Sequence, residues 1–316
     1  MAQFDVNAWL RVHHADGVNV DMAELLYYRS KTSLLNLNPH KTVQARLAGT
    51  YLTKMKGRGM EFDEARHYQP GDDIRAIDWR VTARTGKTHT KLFREEKERP
   101  VFILVDFSHS MHFGTQLLFK SVAAAHLASL IAWGASKRGD RIGGLVFNES
   151  EHREFKPMTR QKAVLSLLSG IKNLHQNAIS DNPAQTFSDA CARIRRLARP
   201  GSAVFILSDF LHLDNAAQRH LSQLSRHCEV MAYRISDPFE HQLPAVRVAQ
   251  TVAVTDGKTR QNITLGEQSQ AMDYQKIHAQ LMNNIYKELQ QSHVRVIDIN
   301  AGVPLETQLN PLQKIA

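Results

Sequence analysis

The sequence predicts an α/β protein, a doubly wound and mainly parallel sheet with a smaller β-rich module on its N-terminal side. Two observations lead there. The apolar runs Val101–Val105 and Ala203–Ser208 read as strands buried on both faces, and each is followed directly by an acid, Asp106 or Asp209. Long amphipathic segments separate the runs, so successive strands are joined by crossovers, which place helices on the faces of a parallel sheet.

The predicted strands are Val101–Val105, Arg141–Phe147, Ala203–Ser208, Glu229–Ile235 and Val294–Ile299. Helices are predicted at Gln116–Lys137, Arg160–Asn173, Phe187–Ala198, Ala216–His227 and Gln270–Gln291. Lys137-Arg138-Gly139 and Arg199-Pro200-Gly201 place cations and then glycine where a helix should stop. Asp256-Gly257 between β-rich flanks predicts a hairpin within 246–265. Upstream, Asp21–Leu35 reads as helical. Gly57-Arg-Gly59, Pro70-Gly71-Asp72-Asp73 and Thr85-Gly86-Lys87 punctuate short segments, as in a small β-rich module. The expected division is therefore a helical segment over 1–40, the small module over 41–98 and the large domain over 99–316.

A chain of 316 residues with 42% hydrophobic content can bury such a core and a companion unit. Its longest apolar stretch, Ser121–Ala135, contains His126 and is shorter than the roughly 20 residues of a membrane span. The N-terminus lacks the basic start and apolar core of a secretory signal, and two cysteines, Cys191 and Cys228, make neither a disulfide framework nor a zinc knuckle. A cytoplasmic protein is expected. The net charge of +9 is spread along the chain. Its densest patch, Arg193, Arg195, Arg196 and Arg199, reads first as a solvated helix face, then as a dock for an acidic protein, and last as a phosphate site.

The residues that carry chemistry begin where the first core strand ends. Asp106-Phe-Ser108-His-Ser110 sets one carboxylate and two hydroxyls in a short turn at the sheet's carboxyl edge, where open α/β folds bind ligands. Oxygen donors of this kind suit a hard cation, Mg²⁺ or Mn²⁺, and leave part of its shell open. Asp209 reaches the same edge from a second buried strand, and Thr186 stands at a helix start beside it, with Ser188 an alternative third hydroxyl. As structural elements the same residues serve as caps, Thr186 and Asp189 forming a capping box.

The set Asp106, Ser108, Ser110, Thr186 and Asp209 resembles the metal-ion-dependent adhesion site of von Willebrand factor A domains. That resemblance implies that the hydroxyls contact Mg²⁺, that the acids act through water, and that a partner's Asp or Glu supplies the missing ligand. Enzymatic patterns fit less well. Haloacid-dehalogenase phosphatases need a second acid where Ser108 stands, and no nucleophile elbow or phosphate-binding loop is present. His109 and His112 read as loop or core histidines rather than catalysts.

A second block, Gly59 to Arg84, interleaves arginines, acids and aromatics: Arg66-His-Tyr68, Gly71-Asp72-Asp73-Ile-Arg75 and Asp78-Trp79. Arg–carboxylate pairs and a packed Tyr/Trp would lock a tight loop there. Together with Ser236-Asp237-Pro238-Phe-Glu240-His-Gln-Leu243-Pro244, this block resembles the signature of the domain-of-unknown-function 58 family. Its members join such a segment to a von Willebrand A-like domain and pair with MoxR-type AAA+ ATPases. Many carry N-terminal membrane helices; this sequence departs from that pattern, and no membrane attachment is expected. The expected function is a non-enzymatic, chaperone-like interaction module that holds Mg²⁺ and a client carboxylate and works with a MoxR-type ATPase. A metal-dependent hydrolase and a nucleic-acid binder using the arginine helix are the alternatives.

Overall fold

The computed structural model describes residues 5–37, 60–95, 98–177, 185–244, 246, 250–255 and 260–309. The chain forms two compact units, Met1–Leu47 with Arg99–Ala316, and Ala48–Glu98.

The larger unit is built on six strands, β1 (Pro100–Asp106), β2 (Arg141–Phe147), β3 (His152–Met158), β4 (Ala203–Ser208), β5 (Glu229–Ser236) and β6 (Arg295–Asn300). They lie in the order β6-β5-β4-β1-β2-β3, and every pairing is parallel except β2 with β3. The doubly wound, mainly parallel sheet is therefore present. Its five principal strands agree with the predicted ones to within a residue or two. The antiparallel strand β3 was not anticipated. His-Arg-Glu-Phe-Lys-Pro-Met is polar and only partly buried, the composition of a protected edge rather than of a core strand.

Side chains alternate across β1. Ile103 and Val105 join a cluster with α1 (Lys120–Lys137) and α2 (Arg160–Gln176) on one face. Phe102 and Leu104 join a second cluster on the other, with α3 (Phe187–Leu197), α4 (Asn215–Ser225) and α5 (Gln268–Gln291). Almost every residue of α1 is buried, so the helix has no polar face to turn to solvent. Part of its cover comes from the N-terminal segment, whose helices Val6–His13 and Met22–Tyr27 contribute Leu25 and, with Val20 and Tyr28, join the first cluster. Polar contacts fix that cover. Glu24 Oε2 lies 3.0 Å from His126 Nε2, the Tyr28 hydroxyl 3.1 Å from His126 Nδ1, and Ser129 donates to the Leu25 carbonyl at 2.5 Å. Within 246–265 the strands Gln250–Thr255 and Arg260–Leu265 pair antiparallel, and the Asp256-Gly257 turn falls outside the described residues.

In the smaller unit, Met60–His67 and His89–Glu95 form an antiparallel hairpin joined through the helix Trp79–Thr85, which Asp78 caps and Gly86 ends. Asp72 holds the connecting loop. It accepts from Arg66 at 2.7 Å, from the Gln69 N–H at 2.9 Å and from the Thr90 hydroxyl at 3.4 Å. Among the described residues the expected Arg–carboxylate lock is seen in this pair. Of the expected packed Tyr/Trp, Tyr68 is half-buried with its hydroxyl 3.5 Å from the Asp72 carbonyl, whereas Trp79 is 68% exposed.

His175 on α2 is buried behind the carboxyl edge of β1. Ser121 meets its Nε2 at 3.0 Å and Phe107 its ring edge-on at 5.2 Å, while Nδ1 has no partner among the described residues. Burial, reinforced by His112, pushes its pKa down to about 4. A histidine held below its unfolded value stabilises the fold fully above pH about 6.5, and that contribution is lost as pH falls through the folded value. Urea midpoints recorded from pH 7 to pH 4 should therefore show an acid loss of which on the order of 3 kcal/mol belongs to this group. In His175→Phe that part of the slope should vanish, and an unchanged slope would refute the assignment.

Candidate functional site

The parallel register of β1 and β4 assembles the site. Val105 stands opposite Leu207, which brings Asp106 level with Ser208 and sends Asp209 out just beyond it. From β1 the sheet is extended in both directions, through β2 on one side and β4 on the other, so the loops leaving β1 and β4 part at this point. That is the switch point where open α/β sheets bind ligands.

Asp106 organises the turn that follows it. One oxygen accepts the Ser108 N–H at 2.8 Å and the other the Ser208 hydroxyl at 2.6 Å. Ser108 then starts a 3₁₀ turn over His109–Met111, whose Met111 side chain is buried and anchors the loop. This brings Ser108 Oγ within 3.4 Å of Ser110 Oγ, and Ser110 is near enough to Asp209 to help lower its pKa. Four of the sequence-predicted residues, Asp106, Ser108, Ser110 and Asp209, thus lie together at this edge. Phe210 comes next with φ at +60°, an unusual conformation for a bulky residue. Its buried ring, 5.7 Å from that of Phe187, and its N–H bond to Ser208 hold it there.

Thr186 is the N-cap of α3. Its hydroxyl donates to Asp189 at 2.7 Å and accepts the Asp189 N–H at 3.1 Å, completing the expected capping box. The neighbouring loop ties it to the serine turn. The Gln185 N–H bonds to the Glu149 carbonyl at 3.0 Å, and Glu149 Oε1 accepts the His109 N–H at 2.6 Å. The second oxygen of Glu149 is buried without a hydrogen-bond partner among the described residues.

Four site neighbours escaped the sequence reading. Ser208 orients Asp106, Glu149 lines the rim, and Lys120 with Glu240 forms a charge pair behind Asp209. Lys120 Nζ lies 2.8 Å from Asp209 Oδ2 and 2.5 Å from Glu240 Oε1, with only 1% of its side chain exposed. A lysine opening an otherwise apolar helix was the available signal for it. Glu240 belongs to the Ser236–Pro244 motif that was recognised without a role.

Electrostatics separate the two acids. Burial and the nearby Asp209 charge push Asp106 up to about 6. Burial also acts against Asp209, but the Lys120 ammonium outweighs it and holds that carboxyl below its usual range. For Lys120 burial is likewise opposed by Asp209 and Glu240, which leave its pKa above the ordinary lysine value. A hydrated hard cation fits what is left: Asp106 in a costly ionised state, two adjacent hydroxyl oxygens and an orphaned Glu149 oxygen. Among the described residues no cluster of three or more His, Cys, Asp and Glu side chains forms a metal cage, so an ion here would depend on the hydroxyls.

A family model described as "Protein of unknown function DUF58" matches residues 64–283. The chain belongs to this family. The matched span carries the Asp72 loop, the Asp106-to-Ser110 turn and the Ser236–Pro244 motif. Among DUF58-like relatives, the uncharacterized protein Rv1480 of Mycobacterium tuberculosis is 34% identical over 216 residues, covering 67% of this chain. The chain spans 66% of that relative's length. Bacillus subtilis YeaD is 32% identical over 102 residues, 31% of this chain and 25% of its own. Two Bacteroides structures are similar: BatB of B. thetaiotaomicron (TM-score 0.38, 14% identity, 62% of this chain and 98% of that one) and an aerotolerance-related membrane protein of B. fragilis (0.41, 16%, 69% and 100%). The von Willebrand A domain of SpRpn10 gives a TM-score of 0.35 at 12% identity, covering 67% of this chain and 94% of that one. Among the described residues of this DUF58 protein no helix is long and apolar enough to cross a membrane.

Because Asp106 is raised, its contribution to stability is fully present below its unfolded value near pH 4 and lost as pH rises through about 6. In EDTA, Asp106→Asn should thus be the more stable protein at pH 8, by on the order of 3 kcal/mol, with the gap closing toward pH 4. Urea unfolding at the two pH values measures this, and a destabilised variant at pH 8 would contradict the site's electrostatics.

Proposed function

We propose that this chain is a protein-interaction module that holds a divalent cation, Mg²⁺ or Mn²⁺, and uses it to capture an Asp or Glu carboxylate of a client protein. It would act with a MoxR-type AAA+ ATPase in the assembly or maturation of that client. The observation that carries the reading is the meeting of Asp106, Ser108, Ser110 and Asp209 at the sheet's switch point. Ser108, Ser110 and Thr186 would offer their hydroxyl oxygens to the cation, and Asp106 and Asp209 would hold its waters. A cation bound by neutral hydroxyls supplies uncompensated positive charge and an open position, which attract an incoming carboxylate. This chain's own residues would shape that site: Asp106 holds the serine turn through the Ser108 N–H, and Asp209 is held through its contact with Lys120.

The ATPase partnership is supported by the resemblance of the Arg66–Trp79 and Ser236–Pro244 signatures to the MoxR-associated family. A binding rather than a catalytic role is favoured by the serine at the position where a phosphatase-like general acid would stand. The arginine helix is partly engaged within the fold, Arg193 lying 3.6 Å from Glu154 and Arg195 contacting Gln223. That favours its structural use over nucleic-acid binding.

Pull-down from a lysate of the source cells in Mg²⁺ and in EDTA, with the bound proteins identified, should recover a client and an AAA+ ATPase only in Mg²⁺. Ser108→Ala with Ser110→Ala should weaken the captured client's binding about ten- to a hundredfold and remove its sensitivity to EDTA. Unchanged binding with unchanged EDTA sensitivity would overturn the proposal, as would turnover of phosphoesters or peptides that is lost in the same double variant.

A further inference from the structure

Lysine is an unfavourable choice for the position it takes in α1. Residue 120 is the first of the helix, at the end where the aligned peptide dipoles are positive and an acid would be preferred. Its ammonium is buried, which a protein tolerates only where paired charges and hydrogen bonds compensate the lost water. The compensation is specific. Asp209 Oδ2 and Glu240 Oε1 receive it at 2.8 and 2.5 Å, so one of the two acids of the candidate cation site has an oxygen already committed to an internal cation.

The other end of this arrangement is equally fixed. Glu240 Oε2 accepts the Asp237 N–H at 3.0 Å, and Asp237, fully buried, accepts the Phe239 N–H at 2.9 Å. Asp237 also takes the Thr115 N–H at 2.8 Å and the Thr115 hydroxyl at 2.6 Å. Thr115 and Lys120 both lie on the stretch that leads from the serine turn into α1. The Ser236–Pro244 motif, which direct cation binding leaves without a role, is therefore joined to the site through Lys120 and, at Thr115, to the segment that leads from the serine turn into α1.

We propose that Lys120 is a built-in counter-ion that withholds Asp209 from the divalent cation and so lowers the site's cation affinity, with Glu240 setting how much of the lysine's charge Asp209 receives. The inference rests on the reading of this edge as a divalent-cation site. Two effects act together. The ammonium occupies one Asp209 oxygen while the Leu211 N–H takes the other at 3.1 Å, and its charge repels a second cation placed beside the serine turn across a buried, weakly screened gap. Glu240 draws the ammonium the other way, so neutralising Glu240 concentrates its charge on Asp209. Lys120 touches neither the cation nor the client and acts only through Asp209, as a positioning residue. A site of this kind responds to changes in the Ser236–Pro244 turn, because any movement of Glu240 alters what Asp209 can offer.

The test uses the full chain and Mn²⁺ alone as the probe, with free Mn²⁺ followed by electron paramagnetic resonance and folding by circular dichroism. Folded Lys120→Met should bind Mn²⁺ about ten- to a hundredfold more tightly than the unaltered protein, the size expected for a residue acting through a ligand but in the opposite direction from the usual loss. Glu240→Gln should bind it more weakly. Equal or weaker binding by folded Lys120→Met overturns the inference. Should that variant fail to fold, Glu240→Gln decides: weaker binding supports the inference, and unchanged or tighter binding overturns it. Failure of the unaltered protein and both variants to bind Mn²⁺ would overturn the cation reading itself. Binding by the unaltered protein that Lys120→Met leaves unchanged would overturn only the role of the lysine.

Discussion

Two carboxylates, Asp106 and Asp209, stand at the ends of neighbouring buried strands close enough for the charge of one to raise the pKa of the other. Water cannot relieve that repulsion, because both residues are almost completely buried. The surroundings of the edge are consequences of this constraint. Asp106 is met by the Ser108 N–H and the Ser208 hydroxyl, Asp209 by the Leu211 N–H and the Lys120 ammonium. Relief reaches the two acids unequally, since the Lys120 ammonium, shared with Glu240, meets Asp209 and not Asp106. Asp106 keeps the cost of its ionisation, and a cation arriving beside the serine turn would be stabilised by removing it.

The same constraint explains why the core is built so tightly around α1. A lysine can remain buried at the start of that helix only if the helix cannot shift, and the helix is covered on every side. The N-terminal segment supplies part of that cover from far along the sequence, fastened by Glu24, Tyr28 and the Leu25 carbonyl to His126 and Ser129. On the opposite side, the Asp237 and Glu240 contacts hold the turn after β5 against the approach to α1. Two stretches distant in sequence thereby hold α1 and the segment that leads into it from the serine turn, the kind of support that keeps a site's donors in place.

Much of this was legible in the residues. Unbroken apolar runs located β1 and β4, because a strand covered on both faces has no polar side to interrupt the pattern, and shorter apolar runs between amphipathic segments located β2, β5 and β6. Acid-terminated strands marked the carboxyl edge, and Asp-x-Ser-x-Ser marked the turn that places two hydroxyls together. The antiparallel β3 stayed hidden because an exposed edge strand carries charges and a proline like any loop. Trp79 misled, since an aromatic among arginines and acids suggests packing, and its exposure depends on where the helix begins.

The sequence by itself determined the class of fold, the strand ends from which the site is built, and the chemistry of its donors, because hydrophobic pattern and residue type are local properties. Only the tertiary structure decided which charges face each other. Lys120 and Asp209 are 89 residues apart, and Lys120 and Glu240 are 120 apart. No periodicity or spacing encodes such a meeting. It follows from the order in which the strands pair and from the low-dielectric interior that turns a distant lysine into the nearest available counter-charge.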